Sequence, residues 1–213
     1  MAEIVTWRHP AEDGALKKAV RVLEAGGVVA CPTETFYALM VDPFQEKSLE
    51  RLMAIKDRPE AKALLVLVAD CAMVARVARE IPPLAVPLMA AFWPGPLTLI
   101  MPARPGLSRY LTGGSDTIGV RQSGHFLARR LPLLYGGPLT GTSANLSGRP
   151  PLLQAEQVER ELGNAIELIL ADGPCLGGLP STILNVVQDP PRIIRAGAIG
   201  LPDLAKRVGR IIS

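Results

Sequence analysis

Four short stretches gather side chains that could hold a charged ligand. "CPTET" (31–35) offers the hydroxyls of Thr33 and Thr35 around the Glu34 carboxylate, just after an apolar run. Ligands often bind at such strand ends in α/β folds, but the same residues also build a hydroxyl turn or a helix cap. "IKDRPEAK" (55–62) sets Lys56 and Arg58 around Asp57. A lysine point charge beside an arginine fork suits phosphate oxygens, although cations at a helix end also complement its dipole. "DTIGVRQS" (116–123) puts Arg121 after a β-rich run. A buried arginine there needs a carboxylate, from a substrate or from an internal Asp or Glu. "GTSANLSG" (141–148) supplies Thr142, Ser143 and Asn145, which can bind a ligand without adding charge or can satisfy their own backbone as a turn. Ser181-Thr182 in "LPSTI" and Arg195 in "RIIRAG" add a hydroxyl pair and another cation.

Other chemistries find little support. No GxxxxGK[ST] loop is present, and the two histidines are His9 and His125. Ser123 and Ser143 lack the glycines of a nucleophile elbow, which argues against a hydrolase triad. Cys31, Cys71 and Cys175 form no CxxC pair, so neither a zinc site nor a disulfide framework is expected. Lys plus Arg number 23 and Asp plus Glu 20, a net charge of +3 that tolerates anions without requiring a nucleic acid. At 4% aromatic residues, a stacking platform for single-stranded bases is not expected. The N-terminus lacks a signal-peptide pattern, and the longest apolar run is far short of the ~20 residues that span a bilayer. A cytoplasmic protein without membrane attachment is the expectation.

These loops need rigid elements between them. Helical periodicity appears in "DGALKKAVRVLEAGG", where Asp13 is the expected cap, and in "EKSLERLMAIKDRP", "CAMVARVAREIPP", "AVPLMAAFWPG", "HFLARRLPLLYGG", "QAEQVERELGN" and "LPDLAKRVGRIIS". Strand-like runs are "VVACPT", "KALLVLVAD", "PLTLIMPA", "DTIGVRQS", "PLTGTS", "IELILADG", "STILNVVQ" and "RIIRAG". The alternation predicts one α/β domain over residues 1–213, with a mixed sheet.

In order, "PTET", "KDRP", "FWPGPLTLI", "TIGVR", "TSANLSG", "STI" and "IIRAG" resemble the YrdC-like family of threonylcarbamoyl-AMP synthases, over about residues 15–200. The resemblance implies a twisted, mostly mixed or antiparallel sheet with flanking helices around an open basic cavity. It implies that L-threonine, bicarbonate and ATP, with Mg²⁺, give threonylcarbamoyl-AMP and pyrophosphate. Partner proteins would pass the group to adenosine in tRNA. The alternative is a paralogue that binds RNA or a nucleotide without synthase activity. By resemblance, Lys56, Arg58, Thr117, Ser143, Asn145 and Arg195 bind ATP, with Lys56 and Arg58 catalytic on the triphosphate. Thr33, Arg121 and Ser181 bind threonine. The sequence departs from the family pattern at Ala38, at Gln122-Ser123 after the strand, at "AKALL" (61–65), and at Pro151, where a serine is common. The family's longer members carry a C-terminal domain; the single-domain form is expected here.

Overall fold

The computed structural model describes residues 1–7, 13–57, 59 and 61–212 of the 213. In chain order the elements are β1 (Glu3–Thr6), α1 (Gly14–Glu24), β2 (Val29–Cys31), β3 (Ala38–Met40), α2 (Glu46–Ile55), β4 (Val66–Leu67), α3 (Cys71–Val74) and α4 (Ala85–Phe92). There follow β5 (Leu97–Pro102), α5 (Arg109–Thr112), β6 (Thr117–Arg121), α6 (Phe126–Tyr135), β7 (Leu139–Thr140), β8 (Thr142–Ser143), α7 (Ala155–Leu162), β9 (Leu168–Ala171), β10 (Thr182–Asn185), β11 (Arg192–Arg195) and α8 (Leu201–Val208).

The strands form two mixed sheets where the sequence suggested one. The first runs β1-β9-β2-β3-β8 and the second β11-β10-β5-β6-β4-β7. Parallel pairs such as β1–β9 and β10–β5 sit beside antiparallel ones such as β2–β3 and β5–β6. The division falls at Gly141. β7 ends at Thr140 and pairs with β4 in the second sheet, while β8 begins at Thr142 and pairs with β3 in the first. A side chain at Gly141 would drive its Cβ to 2.6 Å from Leu67 Cγ and 2.9 Å from Leu65 Cδ1. The chain can therefore cross between sheets only where the residue is this small, and the crossing delivers the "TSAN" segment to the gap.

Residues of α1 at helical spacing, Leu16, Ala19 and Leu23, are fully buried. With Leu127 and Leu131 of α6 and Met40, Leu168 and Leu170 of the first sheet they make one apolar cluster. A larger cluster draws Leu39, Ile169, Leu99, Val120 and Leu184 from both sheets. The expected cap of α1 is not formed: Asp13 makes no capping bond, and its carboxylate accepts from Arg130 at 3.0 Å. Ion pairing with a neighbouring helix wins over capping there. Two expected elements are also shorter than their apolar runs, since "KALLVLVAD" yields only β4 and "CAMVARVAREIPP" only α3. Among the described residues no helix is long and apolar enough to cross a membrane.

Candidate functional site

A cavity of about 630 Å³ is walled by residues from both sheets. Thr33 and Thr35 come from the β2–β3 loop, Thr117 and Arg121 from the two ends of β6, and Ser143 from the end of β8 with Asn145 just beyond. Ser181 precedes β10 and Arg195 ends β11. Leu65, Leu67, Ile100 and Ile183 give it an apolar side. Seven of the residues expected to bind ligand (Thr33, Thr117, Arg121, Ser143, Asn145, Ser181 and Arg195) thus share one cavity. Lys56 is not among its walls, and Arg58 lies outside the described residues.

Arg121 is 5% exposed and forms an ion pair with Glu34, Nη2 to Oε1 at 2.5 Å. Of the two partners open from sequence, the internal carboxylate is present. The Ser123 hydroxyl donates to the other Glu34 oxygen, and the His125 N–H donates to Ser123 Oγ at 3.2 Å. Burial pushes the Glu34 carboxyl up, but the Arg121 charge and bonds from Ser123, Arg121 and the Gly124 backbone outweigh it, so the group titrates below its ordinary value. Arg121 Nη2 also reaches Thr35 Oγ1 at 3.5 Å, while buried Nε has no partner among the described residues. Thr33 is absorbed by the turn: its hydroxyl donates to the Phe36 carbonyl at 2.7 Å and accepts from the Thr35 and Phe36 N–H groups.

Lys56 caps the C-terminus of α2 and is 2% exposed. Its ammonium donates to the carbonyls of Ser143 and Asn145, the latter at 2.6 Å. The Asn145 amide donates to the Leu146 and Arg149 carbonyls at 2.8 and 2.7 Å, and the Leu146 N–H is held by Glu161 of α7 at 2.8 Å. The "TSAN" segment is thus a turn that satisfies much of itself, pinned from behind by a buried cation. Asn145 Oδ1, an acceptor, has no partner among the described residues.

Arg195 and Ser181 touch one another. The guanidinium donates to the Ser181 carbonyl at 2.7 Å and hydroxyl at 3.0 Å, and that hydroxyl bonds Thr98 Oγ1 at 2.9 Å. Gly197 makes the approach possible, since a Cβ there would lie 2.3 Å from the Pro180 carbonyl oxygen and 2.5 Å from the Thr182 nitrogen. Gly197→Ala is expected to lower stability by about 3 kcal/mol through this backbone clash, read by chemical denaturation. Gly14→Ala, at the first residue of α1 with nothing within 4 Å, is the control that should lose no stability.

The departures fall around the same cavity. Ala38 lines it and pairs with Ser143, and Pro151 lines it too, while Gln122 turns its amide to the Ala69 carbonyl at 2.6 Å. Serine–histidine chemistry gains nothing: the Ser123 hydroxyl is spent on Glu34, and His125 Nδ1 accepts from the Leu127 N–H at 3.2 Å, capping α6. Among the described residues no three His, Cys, Asp or Glu side chains gather as a metal cage. Sequence reasoning missed Thr98, Arg149 and Tyr37, which also line the cavity. Burial pushes the Tyr37 phenol up, and its hydroxyl has no partner among the described residues. Nothing in the linear pattern marks it.

The Sua5_yciO_yrdC family profile, described as "Telomere recombination", matches residues 21–197. A Pyrococcus abyssi protein named threonylcarbamoyl-AMP synthase is 34% identical over 99% of this chain. The chain spans 62% of that relative's length. A Vibrio vulnificus protein of the same name is 42% identical over 73% of this chain and 84% of its own. The structure of P. abyssi Sua5 complexed with L-threonine superposes with a TM-score of 0.94, at 34% identity, over 99% of this chain and 62% of that one.

Proposed function

The chain belongs to the Sua5–YciO–YrdC family, and on that premise we propose that it is an L-threonylcarbamoyladenylate synthase. It would make threonylcarbamoyl-AMP and pyrophosphate from L-threonine, bicarbonate and ATP, for N6-threonylcarbamoyladenosine formation in tRNA with partner proteins. The observation that carries this is the meeting of seven expected residues at one cavity whose walls hold three arginines, Arg121, Arg149 and Arg195. The synthase names of the relatives and the threonine complex of the Pyrococcus protein support it.

In this mechanism the threonine ammonium gives a proton to bicarbonate, which departs as CO₂ and water. The freed amine attacks that CO₂ and loses a second proton to solvent, giving a carbamate. A carbamate oxygen then attacks the α-phosphorus, and pyrophosphate departs. No protein nucleophile is required, so the protein's part is to orient two anionic reactants and stabilise charge as it moves to the leaving group. Arg121 holds the threonine carboxylate, with Thr33 and Ser181 beside it. Thr117, Ser143, Asn145 and Arg195 line the nucleotide's place. Arg58 meets the triphosphate, and Lys56 serves it by fixing the Ser143–Asn145 turn. Mg²⁺ arrives as part of the ATP substrate: the described residues supply no cage of their own, and Mg²⁺ is commonly held through substrate phosphates.

Labelled bicarbonate, L-threonine and ATP given to the purified protein test this. Pyrophosphate release and a labelled adenylate are expected only when all three are present. Release that ignores threonine would overturn the assignment.

A further inference from the structure

The charge balance around Arg121 points beyond a simple carboxylate clamp. Glu34 is held on three sides: by Arg121 at 2.5 Å, by the Ser123 hydroxyl, and by the Gly124 backbone. It has no freedom to swing away when a ligand arrives. A Cβ on Gly124 would already lie 3.4 Å from the Glu34 Cγ and Cδ, so the loop packs closely against the carboxylate as well. The guanidinium lines the cavity, yet its positive charge is offset before any ligand binds. A ligand carboxylate on Arg121 therefore shares the guanidinium with Glu34 and feels that second negative charge a few ångströms away.

We propose that Glu34 is a specificity-determining residue that makes this cavity select zwitterions, accepting a carboxylate only when the same ligand carries an ammonium group to offset Glu34. An α-amino acid meets that condition, whereas its deaminated counterpart, with the same carboxylate and hydroxyl, does not. The inference rests on the amino-acid part of the function proposed above. Glu34 acts through space on the ligand's net charge, which separates it from a purely structural support of Arg121. A support that fails weakens every carboxylate alike; a charge filter that fails changes their ratio.

Calorimetric titration of the purified protein with L-threonine and with (R)-3-hydroxybutyrate reads that ratio. The wild type is expected to favour threonine, and Glu34→Gln to reduce the preference at least about tenfold, the low end of what a nearby like charge does in a partly open site. Glu34→Asp keeps the charge and should keep the preference, even where both ligands bind more weakly. An unchanged ratio in folded Glu34→Gln would overturn the filter while leaving the synthase assignment standing. If Glu34→Gln does not fold, Glu34→Ala, which also removes the charge, takes its place: a reduced ratio supports the filter, and an unchanged one overturns it. Failure of the wild type to bind threonine at all would remove both.

Discussion

Arg121→Ala should cut kcat/KM for threonine at least about 100-fold, in line with losing charge-assisted bonds worth about 1.5–3 kcal/mol each. It should also lower stability by about 3 kcal/mol, because the substitution leaves Glu34 buried beside no cation. The two effects have different cures. Removing Glu34 as well should restore much of the stability, as the uncompensated charge is then gone, while turnover stays lost. Arg121→Lys should not rescue turnover, since an ammonium cannot reproduce the planar fork. Threonine titrations of the initial rate and denaturation curves on the four proteins measure both quantities. Wild-type kinetics in Arg121→Ala would show that threonine is held elsewhere.

The second large effect is expected at Lys56. A cation that grips the triphosphate directly and one that pins a turn differ in what else they disturb. Lys56 is 2% exposed and donates to two carbonyls of the "TSAN" segment. Lys56→Met should strip both carbonyls of the ammonium. The Ser143 carbonyl keeps the Asn145 N–H at 3.0 Å, so the cost of an unsatisfied buried acceptor, about 1–3 kcal/mol, falls on the Asn145 carbonyl. The turn carrying Ser143 and Asn145 would then lose its position. Binding of adenosine, which has no phosphate, should weaken about tenfold or more along with ATP. Were the ammonium only a phosphate ligand, adenosine affinity would not change. Equilibrium binding of adenosine and ATP to the variant distinguishes the two.

Much of the architecture is legible residue by residue. Leu16, Ala19 and Leu23 mark α1 through their spacing, and the β-rich runs around Leu99 and Val120 mark β5 and β6. β3 is not legible because "ALM" follows a polar turn with no alternation, and β1 and α5 are too short to establish a period. The split into two sheets is a tertiary fact. It depends on Leu65 and Leu67 closing over Gly141, which no local pattern announces. The same holds at the site. Hydroxyls and cations stand out as types, but the Glu34–Arg121 pairing joins distant segments. Lys56 at a helix end looks like a solvated charge until the carbonyls of Ser143 and Asn145 are seen to close around it.

The pairing of the first strand sets a timetable for biosynthesis. β1 lies parallel to β9, with Glu3 opposite Leu168, and β5 likewise pairs with β10, with Leu97 opposite Thr182. At about 5–20 residues per second, a ribosome needs about 8 s or more to travel from Glu3 to Leu168. Throughout that interval the nascent chain holds open strand edges whose partners have not been made. The ligand cavity is completed later still, because Arg195 is translated after every other residue assigned to it.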